Sequence, residues 1–213
     1  MRSRTARRLA RSRTHASVGS GPARDQLVTS LVERIVALEG ALTEARVPHA
    51  FGGALALAFH TEEPRGTRDI DINAFVAGAD IESVFTALPS GVTWDRADLV
   101  RGERDGQIRV FWDDTPIDLF FRTHTFHDVA QIHVERVPFA GITIPILGAT
   151  ELVVFKAFFD RTKDWADIEA MVEAGTADLH SALGGLVDLL GAVDARIARL
   201  RRLLPLEGTS SCG

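Results

Sequence analysis

The chain has 213 residues, 46% of them hydrophobic, and a formal net charge of −5 at pH 7. A chain of this length can bury one hydrophobic core and a small helical annex. No apolar stretch approaches the roughly 20 residues of a membrane-spanning helix, and a single cysteine, Cys212, excludes an internal disulfide. These features favour a soluble protein in the reducing cytoplasm, with no membrane partner.

The first 24 residues differ in charge from the rest of the chain. They hold seven of the 24 basic residues and none of the 29 acidic ones, so the remainder is strongly acidic. They also lack the apolar stretch of a secretory signal. Three interpretations stay open: a disordered arm that contacts RNA, a helix recruited by a partner, and a start codon assigned too far upstream. The composition favours a disordered basic arm.

The first predicted element is an amphipathic helix from Asp25 to Arg46, because apolar residues recur there at helical spacing. They are Leu27, Leu31, Ile35, Leu38 and Leu42. A short apolar strand, Val47 to Phe51, follows, and Gly52 and Gly53 then precede an alanine-rich helical segment. Glycines at a strand-to-helix junction let the backbone approach a ligand closely, and the free amides of a first helical turn can bind phosphate oxygens.

The next predicted strand carries two carboxylates. Asp69 and Asp71 alternate with Ile70 and Ile72, so the two-residue period of a strand places both carboxylates on one face. Like charges about 7 Å apart along a strand repel each other and lose hydration on burial, so they require a cation. Since the ligands are hard oxygens with no Cys or His nearby, we expect Mg²⁺ or Mn²⁺, which would also bind substrate phosphates.

The sheet is predicted to continue to about Ile146. We expect a helix from Ile81 to Leu88, and strands near Thr93 to Arg101 and Ile142 to Leu147. A β-hairpin is predicted between those two strands, from Gln107 to Phe121, with Asp113-Asp114-Thr115-Pro116 as its turn.

The second strand of this hairpin holds Asp118 between Ile117 and Leu119. A lone aspartate inside an apolar strand seldom serves packing. Because a pair of metal ions needs more than two protein carboxylates, Asp118 is the predicted third metal ligand. The same carboxylate could deprotonate an attacking hydroxyl.

From Thr150 the pattern is helical. We predict helices at Glu151 to Phe159 and Asp164 to Glu173, followed by two more that are separated at Gly191. The last of them carries four arginines, which could serve an RNA acceptor but are more commonly a basic last turn.

These elements predict an α+β fold, in which a mixed β-sheet flanked by helices is followed by a helical C-terminal half. The expected divisions are a disordered basic arm at 1–24, a catalytic core at 25–148, a helical region at 149–206 and a tail at 207–213.

The order of double glycine, Asp-x-Asp and a later strand aspartate resembles the nucleotidyltransferase fold superfamily, the DNA polymerase beta-like group. The segment GGALALAFH…PRGTRDIDI resembles more narrowly the AbiEii-type nucleotidyltransferases, which include type IV toxins and the MenT toxins. That group's helical Lys-x-x-x-x-Arg and Lys-Asp-x-x-Asp are matched by Lys156, Arg161, Lys163, Asp164 and Asp167. One departure is Ala54, which stands where many members have a serine that could contact phosphate.

The resemblance implies metal-dependent transfer of a nucleoside monophosphate from a nucleoside triphosphate to an acceptor hydroxyl. It implies that Asp69, Asp71 and Asp118 hold Mg²⁺ or Mn²⁺ and act in catalysis with Lys156. The expected nucleotide-binding residues are Gly52, Gly53, Arg65, Thr67, Arg161 and Asp164. Each of these charged or hydroxyl side chains also has an ordinary structural interpretation, as a solvated helix face, a helix cap or a turn residue.

The resemblance also implies a toxin-like enzyme that acts on RNA, at the tRNA 3′ end, and has a cognate antitoxin as partner. Two alternatives stay open: transfer to a protein or to a small molecule such as an aminoglycoside, and a catalytically silent binding or regulatory protein. An acidic body is unusual for a protein that binds nucleic acid, because it repels phosphates except where basic residues cluster.

Overall fold

The computed structural model describes residues 30–63 and 66–204. The predicted arm at 1–24, the tail at 207–213 and Arg65 lie outside the described residues, and so do the first residues of the predicted Asp25 to Arg46 helix.

A mixed seven-stranded sheet lies at the centre of the described chain. Its strands are β1 (His49–Phe51), β2 (Ile70–Ala74), β3 (Val92–Thr93), β4 (Gln107–Trp112), β5 (Thr115–Phe121), β6 (Glu135–Phe139) and β7 (Ile142–Ile146). They are ordered β3-β4-β5-β2-β1-β7-β6. The pairs β2–β5 and β1–β7 are parallel, and the other pairs are antiparallel.

Helices flank this sheet and continue after it. They are α1 (Leu31–Glu44), α2 (Gly53–Thr61), α3 (Ile81–Ala87), α4 (Arg96–Asp105), α5 (Phe126–Ile132), α6 (Ala149–Phe159), α7 (Thr162–Glu173), α8 (Leu179–Leu190) and α9 (Ala195–Arg201). The predicted α+β class with a helical C-terminal portion is therefore confirmed. None of these helices in the described chain has the length and apolar character needed to cross a membrane.

Helix α1 forms where the leucine periodicity predicts it. Ser30 and Glu33 form a reciprocal capping box at its start, which satisfies two backbone amides that would otherwise lack partners. On its buried side, Arg34 donates a hydrogen bond of 2.9 Å to Asp113 and another to Thr115. These contacts tie α1 to the turn of the β4–β5 hairpin, and so to the strand that carries Asp118.

The predicted strand from Thr93 to Arg101 is wrong. Only Val92 and Thr93 pair as a strand, and α4 begins at Arg96. The physical reason is a second capping box, in which Asp95 and Asp98 each accept a 2.9 Å hydrogen bond from the other's backbone amide. Helix α5 and strand β6 are not among the predicted elements.

The alternation of side chains along β5 separates two layers. Phe121 faces the layer that contains α3, where its ring lies 6.0 Å from that of Phe85. Phe120 faces the opposite layer, where its ring lies 5.7 Å from that of Phe159 on α6. Asp118 shares the face of Phe120, because residues two apart on a strand point the same way. The carboxylate thus faces the helical C-terminal part of the chain.

Candidate active site

Three charged residues lie side by side on adjacent strands. Asp71 of β2 is in register with Asp118 of β5, and Asp118 is in register with Arg109 of β4. Paired residues on neighbouring strands point to the same face. The sheet therefore brings together two carboxylates that are far apart in sequence.

Burial and like charges raise the pKa of Asp71 to about 6, with desolvation as the largest cause and the charges of Asp69 and Asp118 adding to it. Lys156 and Lys163 act in the opposite direction. A carboxylate whose ionisation is this unfavourable gains from a nearby cation.

The double glycine packs directly against this carboxylate. Gly53 has a φ of 54°, and a Cβ there would lie 1.8 Å from Oδ2 of Asp71. Gly52 donates a backbone hydrogen bond of 2.9 Å to the carbonyl of Asp71. Any side chain at position 53 would occupy the place of the carboxylate, so Gly53 lets the first turn of α2 lie beside Asp71.

Asp69 lies just before β2, and Thr67 orients it. The Thr67 hydroxyl donates a 2.5 Å hydrogen bond to Oδ1 of Asp69. Arg65, the other predicted nucleotide-binding residue of this loop, lies outside the described residues.

Asp118 is held by an arginine that the sequence analysis did not single out. Arg109 donates two parallel hydrogen bonds to it, with Nε–Oδ1 2.7 Å and Nη2–Oδ2 2.6 Å. This contact raises the pKa of the Arg109 guanidinium above its usual range. Planar two-point contacts of this kind are the strongest arginine–carboxylate pairs.

The oxygen ligands of Asp69, Asp71 and Asp118 fit Mg²⁺ or Mn²⁺ chemically. Their present arrangement does not close around an ion: between residues 30 and 204, leaving out 64 and 65, no group of three or more His, Cys, Asp or Glu side chains is arranged to hold a metal. Arg109 places one hydrogen bond on each oxygen of Asp118, so it competes with a metal ion for that carboxylate.

The helical Lys-x-x-x-x-Arg motif brings two cations, Lys156 and Arg161, to the same site. Lys156 on α6 is 7% exposed, so it does not belong to a solvated helix face. Its Nζ lies 2.7 Å from Oδ2 of Asp167 and 3.9 Å from Oδ1 of Asp164. Its position therefore depends on carboxylates of α7.

Asp164 is fully buried beneath Arg161. It accepts hydrogen bonds from Nε of Arg161 at 2.6 Å, from Nη2 at 3.1 Å and from the backbone amide at 3.2 Å. Arg161 itself is half-exposed, and its guanidinium lies 5.2 Å from the centre of the Phe159 ring. Asp164 thus positions Arg161, while Arg161 is the group that can reach a ligand.

All of these groups except Gly52 line one open cleft of about 850 Å³, which we name the polar cleft. Its charged lining includes Asp69, Asp71, Asp118, Arg109, Lys156 and Arg161. Adjacent carboxylates, cations and a glycine-flanked helix start are the groups that bind a metal–phosphate ligand. The predicted four-residue turn from Asp113 to Pro116 is wrong, because β5 already begins at Thr115 and the turn holds only Asp113 and Asp114. This two-residue turn places position 109 opposite 118.

No protein-family model and no curated protein matches the sequence. Solved structures do match. The antibiotic-resistance factor ANT(2'')-Ia in solution has a TM-score of 0.53 at 14% identity over 80% of this chain and 95% of its own. ANT(2'')-Ia in complex with adenylyl-2''-tobramycin has 0.53 at 13%, over 80% and 97%.

A nucleotidyltransferase-like protein from Paracoccidioides brasiliensis matches at a TM-score of 0.43 and 15% identity, over 80% of this chain and 94% of its own. The ANT(2'')-Ia matches show that this chain has a nucleotidyltransferase-like fold, in agreement with the superfamily resemblance of its motifs.

Replacing Asp71 by Asn is expected to stabilise the protein at neutral pH. With its pKa raised to about 6, folded Asp71 keeps a proton that the unfolded chain loses between about pH 4 and pH 6. The free energy of unfolding of the wild type should therefore fall across this window, by an amount on the order of 2–3 kcal/mol. Urea unfolding from pH 4.5 to 8, without divalent cations, measures the free energy of unfolding at each pH. The Asp71→Asn variant should lack this fall. Parallel plots of the free energy of unfolding against pH for wild type and variant would contradict the prediction.

Proposed function

We propose that this protein is a metal-dependent nucleotidyltransferase that moves a nucleoside monophosphate from a nucleoside triphosphate to an acceptor hydroxyl. The observation that carries the proposal is the register of Asp71 with Asp118, opposite the cations of α6 and α7. The fold likeness to ANT(2'')-Ia supports the same reaction class.

In this proposal each residue acts on phosphate or on a proton. Mg²⁺ or Mn²⁺, when held by Asp69, Asp71 and Asp118, would supply positive charge to the phosphates. The first amides of α2, which follow Gly53, can donate hydrogen bonds to phosphate oxygens. Lys156 and Arg161 would stabilise negative charge on the leaving pyrophosphate.

The chemical step is an in-line displacement at the α-phosphate. The acceptor oxygen forms a new P–O bond while the bond to the bridging oxygen of the β-phosphate breaks. Asp118 accepts the proton of the acceptor hydroxyl, and the electron pair of the broken bond leaves on pyrophosphate.

For the acceptor we propose RNA, specifically the tRNA 3′ end, with the protein acting as a cytoplasmic toxin neutralised by an antitoxin of the AbiEii type. This part rests on the motif resemblance. Transfer to a small molecule is the second candidate, favoured by the fold likeness to ANT(2'')-Ia, whose complex contains adenylyl-2''-tobramycin. Two arginines of α9 are already engaged within the protein, because Arg196 is paired with Asp194 and Arg199 lies 4.2 Å from the centre of the Trp165 ring.

Transfer of label tests the proposed reaction. Wild type and Asp71→Asn are incubated with each α-labelled nucleoside triphosphate, Mg²⁺ and either total RNA, cell protein or tobramycin. We expect label in tRNA with the wild type and a loss of about 100-fold or more with the variant, because a metal-site carboxylate is removed. Label in protein or tobramycin would replace the proposed acceptor; no transfer to any acceptor would contradict the proposed activity.

Replacing Arg109 by Gln is expected to tighten Mn²⁺ binding in the absence of nucleotide by about tenfold, or about 1.4 kcal/mol. The reason is that Arg109 occupies both oxygens of Asp118, which a metal ion would need. Titration calorimetry or the electron paramagnetic resonance of free Mn²⁺ measures the affinity.

Two further variants distinguish the loss of the Arg109–Asp118 contact from the loss of a positive charge alone. Arg109→Lys keeps the positive charge but loses the two-point contact, so its affinity should fall between those of wild type and Arg109→Gln. Arg96→Gln removes an exposed arginine that pairs with Glu82 instead, and it should bind Mn²⁺ as the wild type does. Equal affinities for wild type and Arg109→Gln would show that Arg109 does not compete for Asp118.

A further inference from the structure

Arg109 is a charged residue of the polar cleft to which the proposed reaction gives no role. Its side chain is 52% exposed, whereas that of Asp118 is 18% exposed. Within residues 30–63 and 66–204, the guanidinium is held by its two hydrogen bonds to Asp118 and forms no other ion pair. A metal ion bound to Asp118 would take this partner away and leave an unpaired cation at the surface of the cleft.

The register of the sheet places Arg109 on the far side of Asp118 from Asp71. The order across β2, β5 and β4 is Asp71, Asp118 and Arg109. Neighbouring strands lie about 4.8 Å apart, so two strand spacings, or about 10 Å, separate the backbone positions of Asp71 and Arg109. The cleft therefore has one end at Asp71 and another at Arg109, with Asp118 between them.

The cations assigned to the leaving pyrophosphate lie at the Asp71 end. Lys156, Arg161 and Asp71 line both the polar cleft and a second cavity of about 370 Å³ beside it. Asp118 and Arg109 line the polar cleft alone. In an in-line displacement the acceptor enters opposite the leaving group. Under the proposed function, Arg109 thus lies on the side from which the acceptor arrives.

We infer that Arg109 selects the acceptor: when Asp118 takes part in metal binding, the guanidinium exchanges this carboxylate for the phosphate next to the acceptor hydroxyl. The planar two-point geometry that holds both oxygens of Asp118 also fits two oxygens of a phosphate. The acceptor that carries a phosphodiester and a free hydroxyl on one sugar is the end of a nucleic-acid strand. This inference rests on the proposed function and names the residue that decides which acceptor is used.

The same exchange disfavours a cationic acceptor such as an aminoglycoside. A guanidinium without its carboxylate partner repels an ammonium group that approaches the same place. Arg68, which is exposed and lines the same cleft, adds a second positive charge. Selection of the acceptor depends on metal binding, because the charge of Arg109 is uncompensated only when Asp118 has another partner.

Two short RNAs that differ by one charge test the inference. Both end in a tRNA-like 3′ end, and in one of them an uncharged methylphosphonate replaces the last internucleotide phosphate. Fluorescence anisotropy measures their dissociation constants, with Mg²⁺ and a non-hydrolysable nucleoside triphosphate, for wild type, Arg109→Gln, Arg109→Lys and Arg96→Gln. A third RNA, with the methylphosphonate two linkages further from the end, is the matched control for the modification itself.

Wild type should bind the RNA with the terminal methylphosphonate about tenfold more weakly than the all-phosphate RNA, because a charge-assisted two-point contact is lost. Arg109→Gln should bind both RNAs with the lower affinity, and Arg109→Lys should show a smaller difference than wild type. Arg96→Gln, which removes an exposed arginine paired with Glu82, should behave as the wild type does. The third RNA should lose affinity equally in wild type and Arg109→Gln.

A second measurement tests the exchange of partners. In EDTA and without nucleotide, Arg109 stays on Asp118, so wild type should bind the two RNAs equally. Asp118→Asn removes the carboxylate charge that holds the guanidinium, so the difference between the two RNAs should appear without metal. Thermal unfolding establishes that each variant is folded. If Arg109→Gln is not folded, Arg109→Lys and Asp118→Asn carry the test.

Equal affinities of wild type for the two RNAs with Mg²⁺ and nucleotide would overturn the inference, and so would a difference that persists in Arg109→Gln. A difference that wild type already shows in EDTA, or no RNA binding by wild type at all, would overturn it too. Failure of the proposed function is a different result: wild type would transfer no label to RNA, protein or tobramycin, whatever its affinities for the RNAs.

Discussion

The parallel pairing of β2 with β5 places Asp71 directly beside Asp118 on a partly buried face, and the rest of the site follows from the need to balance these two charges. Burial, followed by the charges of Asp69 and Asp118, raises the pKa of Asp71. The protein compensates on both sides: Arg109 holds Asp118 from β4, and Lys156 reaches the cleft from α6. Since Lys156 depends in turn on Asp167, this compensation extends into the helical C-terminal part.

The same three strands also line a second cavity, of about 370 Å³, beside the polar cleft. One row of the sheet carries charge, and the next row carries a phenylalanine between two carboxamides. The backbone pairing of β2, β5 and β4 sets the spacing between the two rows.

Much of this arrangement could be predicted from local sequence patterns, because a double glycine and an alternating Asp-x-Asp have meaning within a few residues. Arg109 needed one further step, namely the hairpin register that places it opposite Asp118. The mistaken strand at Thr93 to Arg101 overlooked the capping pair that begins with Asp95.

The central claim is that Asp71 and Asp118 form one metal–nucleotide site once Arg109 has released Asp118. Crystals grown with Mn²⁺ and a non-hydrolysable nucleoside triphosphate test it most directly, because the anomalous scattering of manganese locates the ion. We expect manganese in contact with carboxylate oxygens of both aspartates, with the Arg109 guanidinium moved away from Asp118. Nucleotide bound with Arg109 still paired to Asp118, and no manganese at Asp71, would contradict it.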